Sequence, residues 1–376
     1  MNRKLDIINP PFDSPVTDLI IEIDNLRKRS LRGTTIPPIF FQIKHLFHIL
    51  ESIGSARIEG NHTTIAEFID NEIDTPDNTT ESIQEIRNNE RAINFIEENI
   101  ENYPINRAFI SELHKIVVED LKKEGSSFPE EYRLVNPIIT GSAHTPPDSA
   151  IVNDLMIELF DFINHPYPEK YDLIKVSIAH HRFVWIHPFD NGNGRTVRLL
   201  TYAMMIKLGF KVNQGRIINP TAVFCSNRDE YYNALQQADK GTDEGLLNWI
   251  EYVLRGLNKE IIKIDNLLEY DYVQNKIFKP SLNEALRKGI ISEQEYKILE
   301  VAIQNQEFKT TQLNKIYNKS SVALSRLVKG LRDKKFLIPI NDNSRIYVFS
   351  FINNQLMREI MRSLDREGFL PMKNEI

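Results

Sequence analysis

The sequence predicts a mainly α-helical protein: a helical core interrupted by one short β-hairpin and followed by a small separate domain. Apolar residues recur at helical spacing along most of the 376-residue chain. One stretch, "YRLVNPIITGSAHTPPDS" (132–149), instead places β-branched residues around a Gly-Ser turn, which indicates a hairpin. The length exceeds one ordinary domain, so two or three domains are expected.

The first segment, residues 1–78, is expected to consist of helices. "SPVTDLIIEIDNLRKR" and "IPPIFFQIKHLFHILESIGSARIEGN" both carry apolar stripes, and the second has two prolines at its start and Gly60 at its end. The polar run "DTPDNTT" then separates this segment from a core over residues 79–272. In that core we predict helices at about 81–100, 106–123, 150–164, 170–186, 194–208, 227–238 and 243–268.

Residues 273–376 are predicted to form a winged-helix domain. "ISEQEYKILEVAIQ" opens with Ser292 and Glu295 at the spacing of a capping box, and "KTTQLNKIYN" and "SSVALSRLVKGLRDKKF" give two further helices. The strand-like segments "FLIPI" and "RIYVFSF", joined by the turn "NDNS", would form the wing. Eight Lys or Arg residues against two acidic residues lie between Gln312 and Arg345, so this segment is basic.

The composition indicates a cytoplasmic protein. The formal net charge of -6 argues against a chain that coats nucleic acid over its whole surface. The single cysteine, Cys225, cannot form an internal disulfide, which fits a reducing compartment. The first residues lack the apolar stretch of a secretory signal, and no run reaches the ~18 apolar residues of a membrane span. We therefore expect a cytoplasmic location without membrane contact.

The stretch "HPFDNGNGRTVR" combines several features that indicate chemistry. The helix before it must stop at His187, because Pro188 disfavours helical geometry in the residue before it. The sequence Gly-Asn-Gly then presents backbone N–H groups at the start of the next helix, which is an anion-binding arrangement. Arg195 and Arg198, in the first turn of that helix, also require an anionic partner. Because His187 can take a proton from a hydroxyl, the combination predicts phosphoryl or nucleotidyl transfer.

The segment "HPFDNGNGR", with Arg198 three residues further on, resembles the signature of Fic-domain proteins. "SARIEGN" is similar to the inhibitory-helix motif of that family, a Ser or Thr followed four residues later by Glu and then Gly or Asn. The matching residues are Ser55, Glu59 and Gly60. The resemblance covers roughly residues 10–270, and a winged-helix tail is a common companion. It implies a protein adenylyltransferase that transfers AMP from ATP to a Tyr, Thr or Ser hydroxyl.

The resemblance assigns a role to most residues of the loop. His187 would be the general base that takes the proton of the target hydroxyl. Arg195 would hold the γ-phosphate of ATP and Arg198 the region of the β-phosphate, while Phe189 would anchor the loop in the core. The α- and β-phosphates would lie in a nest of backbone N–H groups formed by Gly192, Asn193 and Gly194.

One position departs from the pattern of the family. Many active members carry Asp or Glu immediately before the first glycine, where the carboxylate binds Mg²⁺. Here that residue is Asn191, and the carboxylate lies one place earlier, at Asp190. The resemblance implies ATP as substrate and Mg²⁺ as cofactor. Mg²⁺ prefers charged oxygen ligands and is partly held by substrate phosphates. Asn191 and Asp190 are the candidate metal ligands.

The predicted hairpin corresponds to the flap by which the family positions its target. "IITGSAHT" alternates β-branched side chains around a small turn, which suits a strand edge that accepts an extended peptide. Main-chain pairing tolerates many sequences, so we expect other surfaces to select the target. The flap residues are Ile139, Thr140, Gly141 and Ser142.

Glu59 is also unusual on physical grounds alone. It lies at a helix C-terminus, where the helix dipole disfavours a negative charge. The surrounding "SIGSARIEGN" is nearly uncharged and rich in small residues, as a docked helix would be. A buried glutamate there needs a cation, and we expect that cation to be Arg195. If Glu59 occupies Arg195, the γ-phosphate cannot bind there and the enzyme restrains itself.

Two classes of function remain open. The first is an autoinhibited adenylyltransferase that modifies a protein target or itself, with removal of AMP as a reverse activity. The second is a DNA-binding regulator whose Fic part senses nucleotide or is inactive. The first is preferred because His187, Arg195 and Arg198 are all present. The target and homodimerisation stay open, as does binding of DNA or protein through the basic residues Arg326, Lys329, Lys335 and Arg345.

Overall fold

The protein is mainly α-helical with one small antiparallel sheet among its described residues, which confirms the predicted fold class. The computed structural model describes residues 4–28, 33–76, 79–137, 144–210, 218–315, 320–341 and 344–370.

Helices account for most of the regular structure, and the described strands are short. No helix in these ranges is long and apolar enough to cross a membrane. In chain order the elements are α1 (Pro15–Lys28), α2 (Pro37–Ile58), α3 (Ile65–Asp74), α4 (Glu81–Asn99), α5 (Arg107–Val118), α6 (Val152–Asn164), α7 (Asp172–Ile186), α8 (Asn193–Lys207), α9 (Pro220–Cys225), α10 (Arg228–Asp239), α11 (Asp243–Asp265), α12 (Tyr270–Tyr272), α13 (Lys279–Arg287), α14 (Glu293–Asn305), β1 (Glu307–Lys309), α15 (Ser321–Asp333), β2 (Leu337–Pro339), β3 (Ile346–Phe349) and α16 (Leu356–Arg366).

The chain divides into two compact units, and each is assembled from stretches that are distant in the sequence. The predicted boundaries at residues 78 and 272 follow chain order instead, and they stay a prediction. The first unit comprises Met1–Ser30, Glu51–Thr63 and Thr80–Ile262, and the second comprises Leu31–Leu50, Thr64–Thr79 and Lys263–Ile376.

Most helices of the first unit lie where the apolar periodicity predicts them. The helix predicted at 106–123 is wrong at its end, because α5 stops at Val118. Asp120 has a positive φ of 56°, and the Glu81 carboxylate accepts the backbone N–H of Lys122 at 2.8 Å, so the chain turns here instead. Five helices were not predicted from the sequence: α3, α9, α12, α13 and α16.

The helix α7 forms the centre of the first unit. All of its residues except Val184 are buried, as expected for a helix that other helices surround. The helices α6 and α8 pack against α7, and α4 and α5 pack against α8. Trp249 Nε1 donates a hydrogen bond to Ser177 O of α7 at 2.7 Å. The packing fixes α7 and α8 and therefore positions the loop that joins them.

The second unit contains the short sheet, with strand order β1–β3–β2 and antiparallel pairing throughout. The predicted capping box is confirmed, because Ser292 and Glu295 bond reciprocally at the start of α14. The strand β1 was not predicted, since three residues show no alternating pattern. The predicted second helix is a 3-10 turn over Thr310–Lys315, and residues 316–319 lie outside the described residues. The winged-helix assignment stays a prediction.

Basic side chains of the second unit face solvent. Arg326 and Lys329 are exposed on α15, Lys335 follows that helix, and Arg345 precedes β3. Binding of nucleic acid or protein by these residues stays a prediction.

Candidate active site

The loop between α7 and α8 begins as the sequence predicts. The helix α7 ends at Ile186, and His187 takes a left-handed conformation with φ 53° and ψ 61°. Its backbone N–H still donates to Phe183 O at 3.0 Å. The helical path ends there because Pro188 follows. The imidazole of His187 is therefore carried on a sharp turn rather than on a regular helix.

The side chain of Asn193 holds the loop closed. Its Nδ2 donates to Phe189 O at 2.9 Å, and its Oδ1 accepts the Phe189 N–H at 2.9 Å. Phe189 itself is fully buried, in keeping with its expected place as a core anchor. Gly192 has a φ of 72°, and a Cβ there would lie 2.9 Å from Val118 Cγ1. Glycine is therefore required at this position on both conformational and steric grounds.

His114 on α5 supports the same loop and was not singled out from the sequence. Its Nδ1 accepts the backbone N–H of Glu130 at 3.2 Å, so its Nε2 carries the proton and donates to Asn191 O at 3.1 Å. The ring stacks on Phe189 with a centroid separation of 3.7 Å. Burial lowers the pKa of His114 to about 4. The residue is thus a neutral support of the loop, which no short sequence motif marks.

The two candidate metal ligands do not fit a side-chain site for Mg²⁺. Asp190 Oδ1 accepts hydrogen bonds from Ser126 Oγ at 2.5 Å and from the Asn191 N–H at 2.9 Å, and Oδ2 accepts the Ser127 N–H at 2.9 Å. Asn191 Oδ1 accepts the Gly192 N–H at 2.7 Å. Within the described ranges no group of three or more His, Cys, Asp or Glu side chains could hold a metal ion. The Asp190 carboxylate therefore joins the loop to Ser126 and Ser127 instead of remaining free.

Replacing Asp190 with alanine should lower the free energy of unfolding by about 0.5–1.5 kcal/mol, because the half-buried Ser126 and Asn191 and the exposed Ser127 lose their acceptor. The loss should be the same in Mg²⁺ and in EDTA, measured by thermal unfolding without nucleotide. Asp154→Ala, an exposed residue of α6, is the matched control, with a change within about 0.5 kcal/mol. A Mg²⁺-dependent stabilisation of the wild-type protein that Asp190→Ala abolishes would restore Asp190 as a metal ligand.

Arg198 of α8, and not Arg195, pairs with Glu59. Arg198 Nη2 donates to Glu59 Oε1 at 2.7 Å and to Ser55 O at 3.0 Å, and Nε donates to Ser55 Oγ at 2.9 Å. The Arg198 side chain is 1% exposed and that of Glu59 is 26% exposed. Burial alone would raise the pKa of Glu59, but the charge and hydrogen bond of Arg198 outweigh it, so the pKa is lowered. The predicted pairing of Glu59 with Arg195 is therefore wrong.

Arg195 pairs instead with a different carboxylate. Its Nη1 lies 3.1 Å from Glu85 Oε1, and its Nη2 donates to Glu124 O at 2.7 Å. Asn61 Nδ2 donates to the other oxygen of Glu85 at 2.8 Å. Burial raises the pKa of Glu85, although Arg195 opposes that shift. Each of the two arginines of α8 thus faces one carboxylate. Arg195 faces Glu85 of α4, and Arg198 faces Glu59, the residue that follows α2.

Glu51 lies on the same face of α2 as Ser55, four residues before it, and Glu59 follows Ser55 by four residues just past the end of the helix. It is 5% exposed, and its two carboxyl oxygens accept the Thr221 N–H at 3.0 and 3.2 Å. Burial raises the pKa of Glu51 to about 8. A neutral carboxyl group is therefore present in this helix at neutral pH.

Glu51→Gln should stabilise the protein at pH 8 and have little effect at pH 5. The folded-state pKa lies above the ordinary 4.5, so the wild-type protein loses stability as pH rises from about 4.5 to about 8, on the order of 1 kcal/mol per pH unit. The amide cannot ionise, and its oxygen keeps the bond to Thr221. The difference in Tm between variant and wild type across this pH range measures the effect, with exposed Glu101→Gln as control. A difference independent of pH would contradict the buried-carboxyl assignment.

The imidazole of His187 is half-buried beside charged groups of both signs. Burial is the main cause that lowers its pKa to about 4; the positive charge of Arg133 acts in the same direction, and Glu59 opposes it. At neutral pH the ring is uncharged, which is the form that accepts a proton. The predicted flap residues Ile139, Thr140, Gly141 and Ser142 lie outside the described residues.

The loop between α7 and α8 lies in a part of the chain that is similar to known proteins. Residues 104–205 match the Fic/DOC family. A protein adenylyltransferase Fic of Drosophila willistoni is 28% identical over 200 residues, which cover 52% of this chain and 37% of that protein. A probable protein adenylyltransferase of Aquifex aeolicus is 30% identical over 155 residues, which cover 41% and 43%. The chain thus spans less than half the length of these two relatives.

The fold has a counterpart among solved structures. A Fic family protein from Desulfovibrio desulfuricans G20 superposes with a TM-score of 0.55 at 19% identity, covering 91% of this chain and 98% of that one. The helices around the loop therefore follow the architecture of that class of protein. This chain carries a Fic domain.

Proposed function

We propose that this chain is a protein adenylyltransferase that stays inactive while Glu59 is bound to Arg198. The observation that carries the proposal is the position of the Glu59 carboxylate. It accepts a hydrogen bond from Arg198, and a Cβ added at Gly194 would overlap its Oε1. Glu59 thus lies against the first turn of α8, where backbone N–H groups attract phosphate oxygens. The relatives named protein adenylyltransferase support the same activity.

ATP is the proposed donor of AMP. Its phosphates would approach the start of α8 closely, because Gly194 has no side chain. Arg198 would exchange the Glu59 carboxylate for phosphate oxygens, a partner that guanidinium groups bind through paired donors. Arg195 Nε has no hydrogen-bond partner among the described residues, so a donor remains for a further phosphate oxygen. Successive phosphate groups of ATP would then supply oxygens to both arginines.

The proposed reaction is attack of a protein hydroxyl on the α-phosphorus of ATP. His187, uncharged at neutral pH, would take the hydroxyl proton. The new oxygen–phosphorus bond would form while the bond from the α-phosphorus to the bridging oxygen breaks, and pyrophosphate would leave. With Glu59 on Arg198, the phosphates cannot take the position that aligns the α-phosphorus with the incoming hydroxyl.

Incubation with ATP labelled at either the α- or the γ-phosphate tests this proposal. The Glu59→Gly variant should gain protein-bound label from α-labelled ATP and none from γ-labelled ATP. Label from the γ-phosphate alone would show phosphoryl transfer and would overturn the assignment. Label from neither, with a folded variant and measurable ATP binding, would also contradict it.

Removal of AMP belongs to the same proposal, because the Glu59 carboxylate is suited to orient a water molecule at the modified hydroxyl. Glu59→Gly protein that carries labelled AMP should then lose its label when wild-type protein is added. Added Glu59→Gly protein is the matched control and should release none. Equal retention of label in both mixtures would limit the activity to AMP addition.

A further inference from the structure

Arg133 is a buried arginine in direct contact with the loop that carries His187. It is 2% exposed. Its backbone N–H donates to Pro188 O at 2.9 Å, and its Nε donates to His187 O at 2.8 Å. These two bonds attach the segment after α5 to the turn at the end of α7.

All five N–H donors of the guanidinium find neutral acceptors. Besides the Nε bond, Nη1 donates to Val135 O at 3.1 Å and to Asn136 Oδ1 at 3.2 Å. Nη2 donates to Pro147 O at 2.5 Å and to Ile186 O at 3.4 Å. Within the described residues no carboxylate accepts a hydrogen bond from this guanidinium. The positive charge is therefore held mainly by carbonyl and amide dipoles, and the nearby Asp148 acts on it without a hydrogen bond.

We propose that Arg133 is a positioning residue for the AMP transfer described above: its guanidinium fixes the His187 turn and joins it to both described ends of the predicted flap segment. The acceptors of the guanidinium come from three places in the chain. Ile186 and His187 lie at the end of α7. Val135 and Asn136 precede the predicted flap residues, and Pro147 follows them. The inference rests on the proposed function for its link to catalysis, but the contacts themselves do not.

The conformation of His187 explains why such support is needed. A left-handed backbone is uncommon for a residue with a β-carbon and persists only when its surroundings hold it. The last carbonyl groups of a helix also lack partners within the helix. The guanidinium of Arg133 stays protonated and donates to both Ile186 O and His187 O. It therefore satisfies those carbonyls, and its positive charge is favourable at the negative C-terminal end of the helix dipole.

The charge of Arg133 also bears on the proton affinity of the base. The charged or titratable groups that act on the His187 ring are Arg133 and His144, which lower its pKa, and Glu59, which raises it. Burial lowers the pKa of Arg133 itself, and the charge of Asp148 opposes that shift. Without the guanidinium charge, the pKa of His187 should therefore rise toward the ordinary 6.5. A residue that only filled space would not change this pKa.

Two substitutions separate the charge of Arg133 from its geometry. Arg133→Gln removes the charge, whereas Arg133→Lys keeps the charge but lacks the planar fork of five donors. In the otherwise wild-type chain, NMR titration of the His187 ring, identified by its loss in His187→Ala, should give a higher pKa for Arg133→Gln and an unchanged pKa for Arg133→Lys. In the Glu59→Gly background, Arg133→Lys should lose about 10- to 100-fold in kcat, because the base is displaced, with an unchanged KM for ATP.

Each outcome decides the inference. A His187 pKa that is equal in Arg133→Gln and wild type overturns it, and so does an Arg133→Lys variant that transfers AMP as fast as its parent. If Arg133→Gln does not fold, the kcat and KM of Arg133→Lys decide alone. If the NMR shift appears while the parent Glu59→Gly transfers no AMP, the proposed function fails and the placement of Arg133 at His187 stands.

Discussion

Replacing Glu59 with glycine should raise the rate of AMP self-transfer about 10- to 150-fold at saturating ATP. The substitution removes the carboxylate that bonds to Arg198 at 2.7 Å and lies against Gly194. A hydrogen bond between charged groups contributes about 1.5–3 kcal/mol, and each 1.4 kcal/mol corresponds to about a tenfold change. The released Arg198 then gains a phosphate partner, so the usual cost of a stranded buried charge does not reduce activity.

The matched control for this variant is Glu59→Gln, which keeps the side-chain volume and removes the charge. We expect an intermediate rate, because the amide still occupies the space in front of Gly194 but binds Arg198 less strongly. Rates are measured as initial incorporation of α-labelled ATP. Equal rates in wild type, Glu59→Gln and Glu59→Gly would show that the Glu59–Arg198 pair does not control transfer.

His187→Ala in the Glu59→Gly background should lower the transfer rate about 10²- to 10⁴-fold, the usual effect of losing a positioned base. Binding of ATP should change little, because the proposed role of His187 is to contact the hydroxyl and not the phosphates. Transfer is measured by label incorporation, and ATP binding by calorimetry on the same protein.

The exposed His62 offers a matched substitution, since His62→Ala removes an imidazole of the same unit outside the loop. That variant should retain both transfer and binding. A parallel loss of ATP affinity in His187→Ala would mean that the ring supports the fold of the loop, and the role of base would have to be withdrawn.

The loop could be predicted from the sequence because its determinants are local. Pro188 ends α7, the positive φ of Gly192 permits the turn, and the capping amides of α8 follow from helix geometry. These effects act within a few residues and need no knowledge of packing. The same locality explains the confirmed end of α7 at Ile186 and the confirmed capping box at Ser292.

The partner of Glu59 could not be predicted in the same way. Arg195 and Arg198 both project from the first two turns of α8, and only the packing of α2 and α4 decides which arginine each carboxylate meets. Glu85 of α4 takes Arg195 and leaves Arg198 to Glu59. The sequence contains no signal for the register between these helices.

Supporting residues far along the chain were missed for a related reason. His114 lies 77 residues from Asn191, whose carbonyl it bonds. Arg133 lies 54 residues from His187. Neither belongs to a motif of fixed spacing, and a buried histidine or arginine reads in sequence like any other polar residue. Their roles follow only from the three-dimensional contacts.

The most direct test of inhibition by Glu59 is intact-protein mass spectrometry after incubation with ATP. Wild type, Glu59→Gly and the double variant Glu59→Gly/His187→Ala are compared under the same conditions. We expect a mass increase equal to AMP on Glu59→Gly, little on wild type and none on the double variant. Equal AMP incorporation in wild type and Glu59→Gly, or unreduced incorporation in the double variant, would contradict an enzyme restrained by Glu59 and driven by His187.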